Sequence, residues 1–247
     1  MISINDIEFK CLTEYIKSNY GINLNNKRNL IEGRLSNILV ENGFDNFSDY
    51  MQYIFSDETK MEITKLIDKV TTNHTFFMRE ANHFAYLRDK ILPYLEEKCS
   101  QNKDLRIWSA GCSSGEEPYT IVMIIADYFR NQKILWDTKI LASDISAKVL
   151  ESAERGIYNA ESIESLPVSW KKCYFTKVDS LNYEISSKIK SEVVFRMFNL
   201  MDATFPFKKR FHVIFCRNVM IYFDHVTKME IINKFYDLTE PGGYLFI

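Results

Sequence analysis

The sequence predicts an α/β protein in which a mostly parallel sheet follows a small all-helical domain. Apolar residues recur at helical spacing from Asp6 to Val70. After that, short apolar runs of strand length alternate with helical patterns, which is typical of βαβ units and a parallel sheet. Short alternating pieces at about 160–191 interrupt this order and predict a small antiparallel insertion. We therefore divide the chain into a bundle at 1–70, a linker at 71–82 and an α/β domain at 83–247.

Composition limits the partners and sites that the chain could have. With 31 basic and 33 acidic side chains, no global field favours nucleic acid or an anionic membrane. No apolar run reaches the ~20 residues of a membrane span, and the amino terminus lacks a signal pattern. The five cysteines form no CxxC pair and the four histidines show no paired spacing. We expect a cytoplasmic protein without a disulfide framework or a metal site.

The amino-terminal segment predicts a bundle of about four helices. Helix stops and starts separate its periodic segments at Tyr20-Gly21, Asn42-Gly43 and Ser56-Asp57. The second helix opens with Lys27 and Arg28, and Arg34 follows on roughly the same face. This basic face is either an ordinary solvated surface or a docking surface for an acidic partner helix.

The predicted linker places hydroxyl groups beside two aromatic residues and an arginine, Arg79. Segments of this kind across a cleft often contact ligands. The guanidinium of Arg79 matches the geometry of a carboxylate, although a simple surface arginine is the alternative. A helical pattern then runs from His83 to Leu95 and ends near Lys98.

The stretch from Leu105 to Tyr128 combines a strand, a tight turn and a helix. Pro118 and the neighbouring glutamates favour a helix start near Glu117. In an open α/β sheet, ligands bind over a turn of this kind, so we expect a ligand over Gly111 to Glu117. The alternative is an ordinary βα turn without a ligand. The GxGxxG and Lys-Ser/Thr patterns are absent, and two glutamates would repel a pyrophosphate. The carboxylates suit a ligand with positive charge or with hydroxyl and amine donors.

A second strand, Thr138 to Ser143, ends at Asp144. In doubly wound folds, an acidic residue at this point binds the ribose hydroxyls. Asp144 therefore supports the same ligand site as the turn at Gly111 to Glu117. The alternative is that Asp144 caps a helix from Ile145 to Arg155. The remaining predicted elements are strands at Val193 to Asn199, Phe211 to Cys216 and Tyr244 to Ile247, and a helix from after Asp224 to about Leu238.

Five motifs carry a resemblance to a known family: TTNHTFFMRE, WSAGCSSGEEPY, ASD followed by a helix and RGIY, FNL, and FCRNVMIYF. In this order and separation they resemble the CheR-type chemotaxis receptor methyltransferases, and the helical bundle resembles the amino-terminal domain of that family. The resemblance implies a Rossmann-like fold that binds S-adenosylmethionine. It also implies methyl transfer to glutamate side chains on the cytoplasmic helices of chemoreceptors, with S-adenosylhomocysteine as the product.

The resemblance assigns site residues by motif. It places Arg79 and Tyr222 nearest the chemistry. It implies cofactor contacts for Asn73, Thr75, Arg79, Glu117, Asp144, Asn199, Leu200, Cys216, Arg217 and Asn218. A glutamate carboxylate, with a reference pKa of about 4.3, is ionised at neutral pH and needs no general base. We therefore assign Arg79 and Tyr222 to positioning of the carboxylate.

The sequence also departs from the family pattern. Ser36, Asn37 and Ile38 stand where the family is richer in arginine, which weakens the case for receptor docking through that helix. The insertion lacks the glycine-rich loop that binds a receptor's carboxyl-terminal pentapeptide, so we expect no dependence on that tether. The chain stops at Ile247, where the family continues through another strand, so one strand is expected to be missing.

The resemblance implies a monomer that acts on chemoreceptors, without nucleic acid or membrane insertion. Two other functions stay open. One is a small-molecule carboxyl methyltransferase on the same fold. The other is a non-enzymatic module that binds S-adenosylmethionine or S-adenosylhomocysteine in a signalling assembly.

Overall fold

The computed structural model describes residues 2–71 and 74–247. The chain divides into two compact units. The first comprises Met1–Asn73, Asn199–Ala203 and Met220–Ile231, and the second comprises His74–Phe198, Thr204–Val219 and Ile232–Ile247. Two short segments from the second half of the chain thus belong to the unit that the amino-terminal helices form.

Four helices make up most of the first unit. They are α1 (Asp6–Tyr20), α2 (Arg28–Glu41), α3 (Phe47–Ser56) and α4 (Met61–Val70). A capping box begins α1, because Asn5 accepts from the Glu8 backbone N–H while the Glu8 carboxylate accepts from that of Asn5. Gly21 ends α1 with φ +72°, which glycine adopts without strain. The predicted helical bundle is confirmed.

The arginines of the predicted basic face have partners within the bundle. Arg28 donates to the Ile4 carbonyl and to Asp6. Arg34 donates to the carbonyls of Lys69 and Thr71 at 2.8 and 3.0 Å, and so satisfies the carboxyl end of α4. These contacts favour a structural use of both side chains over a docking surface.

The second unit contains two sheets. In chain order the strands are β1 (Ile107–Ala110), β2 (Ile140–Asp144), β3 (Ile157–Asn159), β4 (Phe175–Lys177), β5 (Asn182–Ile185), β6 (Val193–Met197), β7 (Phe211–Phe215) and β8 (Thr239–Phe246). The larger sheet has the order β6-β2-β1-β7-β8 with every pair parallel. The smaller sheet has the order β3-β5-β4 and is antiparallel. The predicted parallel sheet and antiparallel insertion are confirmed.

The remaining helices include two irregular segments. They are α5 (Ala81–Tyr86), a π-helical turn (Leu87–Ile91), α6 (Leu92–Lys98), α7 (Glu116–Phe129), a 3-10 helix (Arg130–Leu135), α8 (Ala147–Arg155), α9 (Val168–Tyr174), α10 (Ser187–Lys190), a 3-10 turn (Met220–Tyr222) and α11 (His225–Leu238). The sequence predicted one continuous helix from His83. Pro93 follows the π-helical turn, and its missing N–H explains why the regular bonding pattern breaks there.

The last strand begins earlier than the sequence predicted. The sequence predicts a strand from Tyr244. Instead, β8 pairs with β7 from Thr239, and its register shifts between Phe211 and Val213. Gly242, with φ +74°, lies in this irregularity, so the glycines form a bulge within the strand. In the described part of the chain, β8 is hydrogen-bonded only to β7.

Aromatic residues pack around the central strand of the larger sheet. Trp108 of β1 is fully buried, and its indole N–H donates to the Ser143 hydroxyl at 2.9 Å. Its ring contacts five phenylalanines: Phe198, Phe205, Phe207, Phe211 and Phe235. This packing fixes β1 against β2, and thereby positions the loop that follows β1.

Candidate functional site

The loop from β1 to α7 lies at the carboxyl edge of the parallel sheet. The N–H groups of Gly111 and Cys112 both donate to the Ser143 carbonyl, at 2.7 and 2.9 Å. Gly111 has φ +80°, and a Cβ there would collide with Val219. Gly115 has φ +95°. The loop therefore requires glycine at both ends, and its backbone is held closely to the end of β2.

Asp144 joins this loop to the end of β2. One carboxyl oxygen accepts from the Ser113 N–H at 2.9 Å, and the other accepts from the Ser146 N–H at 3.1 Å. The amino-terminal cap of α8 is Ser146, whose hydroxyl accepts from the Val149 N–H at 3.3 Å. The alternative that Asp144 caps this helix is therefore wrong.

A buried ion pair lies behind the loop. Glu117, in the first turn of α7, accepts from the Ser109 hydroxyl at 2.7 Å and from Arg217 Nη1 at 2.9 Å. The Arg217 side chain is only 3% exposed. Burial raises the pKa of Glu117, and the positive charge of Arg217 opposes that shift. The pair connects the start of α7 to the end of β7.

Arg217 also binds the segment that precedes α5. Its Nη2 donates to the Arg79 carbonyl and to Glu80 Oε2. Its guanidinium lies 5.0 Å from the centre of the Phe84 ring. Its Nε is buried and has no hydrogen-bond partner among the described residues. Thus one side chain ties the Arg79 segment, α7 and β7 together.

Glu80 completes this network with Asn218, whose Nδ2 donates to Glu80 Oε1 at 3.1 Å. The Asn218 hydrogen bond, with help from Arg217, lowers the pKa of Glu80. Glu80 and Asn218 have φ of +56° and +58°. A glutamate in this left-handed region costs free energy that the surrounding contacts must offset. Glu80 and Ser109 were not predicted as site residues, although both lie within the motifs that carry the family resemblance.

The other predicted residues of this unit have different surroundings. Arg79 Nη1 donates to the His74 carbonyl at 2.5 Å, and its guanidinium lies 6.0 Å from the Phe76 ring centre. Thr75 is half-buried. The Cys216 thiol is fully buried in the core, and this burial raises its pKa. Asn73 lies outside the described residues.

Three predicted residues belong to the first unit. The Asn199 amide donates to the Asn19 carbonyl at 2.8 Å, and its oxygen accepts from the Met201 N–H at 3.0 Å. Leu200 is buried. Tyr222 lies in the 3-10 turn, and its carbonyl accepts from the Asn23 N–H at 2.8 Å.

Among residues 2–71 and 74–247, no group of three or more histidine, cysteine, aspartate or glutamate side chains could hold a metal ion. No helix there has the length and apolar character to cross a membrane.

Comparison with known proteins identifies the family. Residues 7–71 match the family model described as CheR methyltransferase, all-alpha domain, and residues 73–247 match CheR methyltransferase, SAM binding domain. The chain belongs to the CheR methyltransferase family. The resemblance of the five motifs is therefore confirmed, together with S-adenosylmethionine as the cofactor.

Relatives of this CheR-family chain match over nearly its whole length. The chemotaxis protein methyltransferase of Borreliella burgdorferi is 45% identical over 249 residues, which cover 100% of this chain and 88% of that protein. The probable chemotaxis protein methyltransferase of Rhizobium etli is 37% identical, covering 94% of this chain and 87% of that protein. The chemotaxis protein methyltransferase of Escherichia coli is 34% identical, covering 99% of this chain and 84% of that protein. The chain is thus an S-adenosylmethionine-dependent methyltransferase of chemotaxis.

The residues at the carboxyl edge of the sheet fit this cofactor. Gly111 and Gly115 have no side chains, so the loop backbone can pass close to Val219 and to Ala153 of α8. The carboxyl oxygens of Asp144 suit ribose hydroxyls, and acidic groups near the loop suit a sulfonium and an ammonium. The S-adenosylmethionine sulfonium supplies an activated methyl group when bound.

Proposed function

We propose that this CheR-family chain transfers a methyl group from S-adenosylmethionine to glutamate side-chain carboxylates of chemoreceptor cytoplasmic helices. The products are glutamyl methyl esters and S-adenosylhomocysteine. The relatives' names support methyl transfer in chemotaxis, and the motif resemblance supplies the glutamate acceptor. Cytoplasmic location and a monomeric state are part of the same proposal.

The observation that carries this proposal is the link between Arg79 and the cofactor loop. Arg217 donates to the Arg79 carbonyl and also pairs with Glu117 in the first turn of α7. The Arg79 guanidinium is held in turn by the His74 carbonyl. A cation is thereby anchored through the backbone to the element that carries the cofactor loop. Such a cation suits an anionic methyl acceptor.

The reaction places modest demands on the protein. The acceptor carboxylate is ionised at neutral pH because its reference pKa is about 4.3, so no residue has to remove a proton. Arg79 orients the carboxylate, and Tyr222 shapes its approach. Holding the reacting atoms in line contributes on the order of 7–11 kcal/mol. Too strong a grip by Arg79 would weaken the nucleophile, so its role is positioning.

We assign the cofactor contacts by motif. In the proposal, Asp144 binds the ribose, and Asn199 and Leu200 flank the adenine. Asn73, Thr75 and Arg79 lie against the cofactor and the transferring methyl group, and Glu117 lies near the cofactor loop. Cys216, Arg217 and Asn218 complete the pocket, Cys216 through its backbone because its thiol lies in the core.

The test is transfer of a tritiated methyl group from S-adenosylmethionine to a receptor cytoplasmic fragment. We expect label on the fragment that mild base releases, because a carboxyl ester is base-labile whereas methyl amines are stable. Label on small carboxylic acids but not on the fragment would favour a small-molecule methyltransferase. Cofactor binding without any turnover would favour a signalling module.

A second measurement tests the positioning residues. Arg79→Ala and Tyr222→Phe should lower kcat at saturating cofactor by about tenfold or more, since each loses a group that orients the carboxylate. Arg88→Ala is the matched control, because Arg88 pairs with its neighbour Asp89 on an exposed surface. Wild-type rates in both test variants would remove them from the active centre.

The proposal also covers receptor recognition. Because the insertion lacks a glycine-rich loop, methylation should not depend on a receptor's carboxyl-terminal pentapeptide. Calorimetry with that peptide should show no binding, and clear saturable binding would contradict this part of the proposal.

A further inference from the structure

A glutamate that the motif resemblance did not assign, Glu80, lies between Arg217 and Asn218. Its Oε1 accepts from Asn218 Nδ2 at 3.1 Å, and its Oε2 accepts from Arg217 Nη2 at 3.1 Å. Oε2 also lies 3.3 Å from Nδ1 of His83. Both carboxyl oxygens are therefore engaged by side chains of the protein.

This carboxylate determines which way the Asn218 amide faces. An ionised carboxylate only accepts hydrogen bonds, so the amide must turn its NH2 group toward Glu80. The carbonyl oxygen Oδ1 then lies on the opposite side of the amide. Arg217 cannot replace Glu80 in this task, because a guanidinium only donates.

We propose that Glu80 is a positioning residue that holds Asn218 with its carbonyl oxygen toward the cofactor. The inference rests on the proposed function, in which Asn218 is one of the residues that complete the cofactor pocket. A carbonyl oxygen accepts from an ammonium group or a hydroxyl, whereas an NH2 group at the same point would oppose these donors. Glu80 itself does not touch the cofactor.

The substitution Glu80→Gln should reverse the amide. The introduced side chain has one acceptor and one donor group. If its oxygen faced Asn218, its NH2 group would oppose the donors of Arg217. If its oxygen faces Arg217 instead, its NH2 group faces Asn218, and the Asn218 amide must turn over to accept. The NH2 group of Asn218 then faces the cofactor, and we expect the affinity for S-adenosylhomocysteine to fall about tenfold.

A second substitution should restore the acceptor. In the double variant Glu80→Gln with Asn218→Asp, the glutamine donates to one aspartate oxygen and keeps its carbonyl oxygen on Arg217. The other aspartate oxygen then presents an acceptor where Asn218 presented one. The pair keeps the same total charge, since the carboxylate has moved from one partner to the other. Asn218→Asp alone places two carboxylates against each other and should also weaken binding.

The experiment is calorimetry of S-adenosylhomocysteine with the full chain, together with thermal melting of each variant. We expect each single variant to bind about tenfold more weakly and the double variant to come within about threefold of wild type. A purely structural role for Glu80 would not produce rescue by the second substitution. Glu97→Gln is the control, because Glu97 is an exposed glutamate on the neighbouring α6.

Other outcomes distinguish the positioning role of Glu80 from the proposed cofactor contact of Asn218. Wild-type affinity in Glu80→Gln, or additive losses in the double variant, overturns the positioning role. Asn218→Ala with wild-type affinity removes the proposed cofactor contact, and the inference falls with it. Loss of binding in Asn218→Ala together with wild-type binding in Glu80→Gln overturns the inference alone. If Glu80→Gln does not fold, the positioning role is tested by comparing the affinity of Asn218→Asp with that of the double variant.

Discussion

At the scale of one residue, Asp144 holds the β1–α7 loop and is the residue that we propose to bind the ribose. Its two oxygens accept from the Ser113 and Ser146 N–H groups. Asp144→Asn replaces one oxygen by a donor and removes the charge. We expect affinity for S-adenosylmethionine to fall roughly 10- to 100-fold, because hydrogen bonds to charged groups are worth about 1.5–3 kcal/mol.

The measurement for Asp144 is calorimetry with S-adenosylmethionine, and the control is Asp89→Asn on the exposed surface beside Arg88. Thermal melting separates lost binding from lost folding. Unchanged affinity in Asp144→Asn would remove this residue from the ribose.

We expect His212 to make folding sensitive to acid. It is 4% exposed, and its Nδ1 accepts from the Arg106 N–H at 3.0 Å. Burial, together with the charge of Arg106, lowers the pKa of His212 from 6.5 to about 4. Between these values the unfolded chain binds the proton and the folded chain does not. The stabilisation is thus complete above pH 6.5 and is lost as the pH falls toward about 4.

Denaturant unfolding across this pH window tests the role of His212. The free energy of unfolding of wild type should fall by roughly 2–4 kcal/mol more than that of His212→Asn, whose side chain can still accept from Arg106 but does not titrate. The carboxylates titrate in both proteins, so the difference reports His212. Parallel curves would show that His212 does not contribute.

At the scale of single elements, two glycines should respond to alanine in opposite directions. Gly115 has φ +95°, and a Cβ there would lie 2.9 Å from the Ala153 Cβ of α8. Gly33 lies within α2 and has open space around it. Gly115→Ala should lower the free energy of unfolding by about 1–3 kcal/mol, and Gly33→Ala should raise it by about 0.5–1 kcal/mol.

Chemical denaturation of both glycine variants provides the test, with each serving as the control for the other. Gly115→Ala should also weaken cofactor binding, since the β1–α7 loop must shift away from α8. A Gly115→Ala protein as stable as wild type would contradict the close packing of this loop.

The elements themselves were largely predictable because their signals are local. Helical spacing located α1 to α4, and the Pro118 pattern placed the start of α7 within one residue of the observed Glu116. The π-helical turn was missed because an amphipathic pattern continues through it. The cap of α8 was missed because Asp144 and Ser146 are both good capping residues, and only the geometry of β2 distinguishes them.

At the scale of the whole molecule, the missed features are contacts between distant parts of the chain. Glu80 and Arg217 lie 137 positions apart, and no periodic pattern relates them. Likewise, no local pattern shows that Asn199–Ala203 and Met220–Ile231 group with the amino-terminal helices. The motif resemblance assigned Arg217 and Asn218 because it draws on whole proteins. It did not assign Glu80, which contacts both of these residues.

The most direct test of the proposed site is a crystal structure of the full chain with S-adenosylhomocysteine. We expect the ribose hydroxyls within hydrogen-bond distance of Asp144 and the rest of the ligand in contact with the β1–α7 loop and Asn218. A ligand bound elsewhere, or a crevice at the β1–α7 loop filled by protein side chains, would contradict the account.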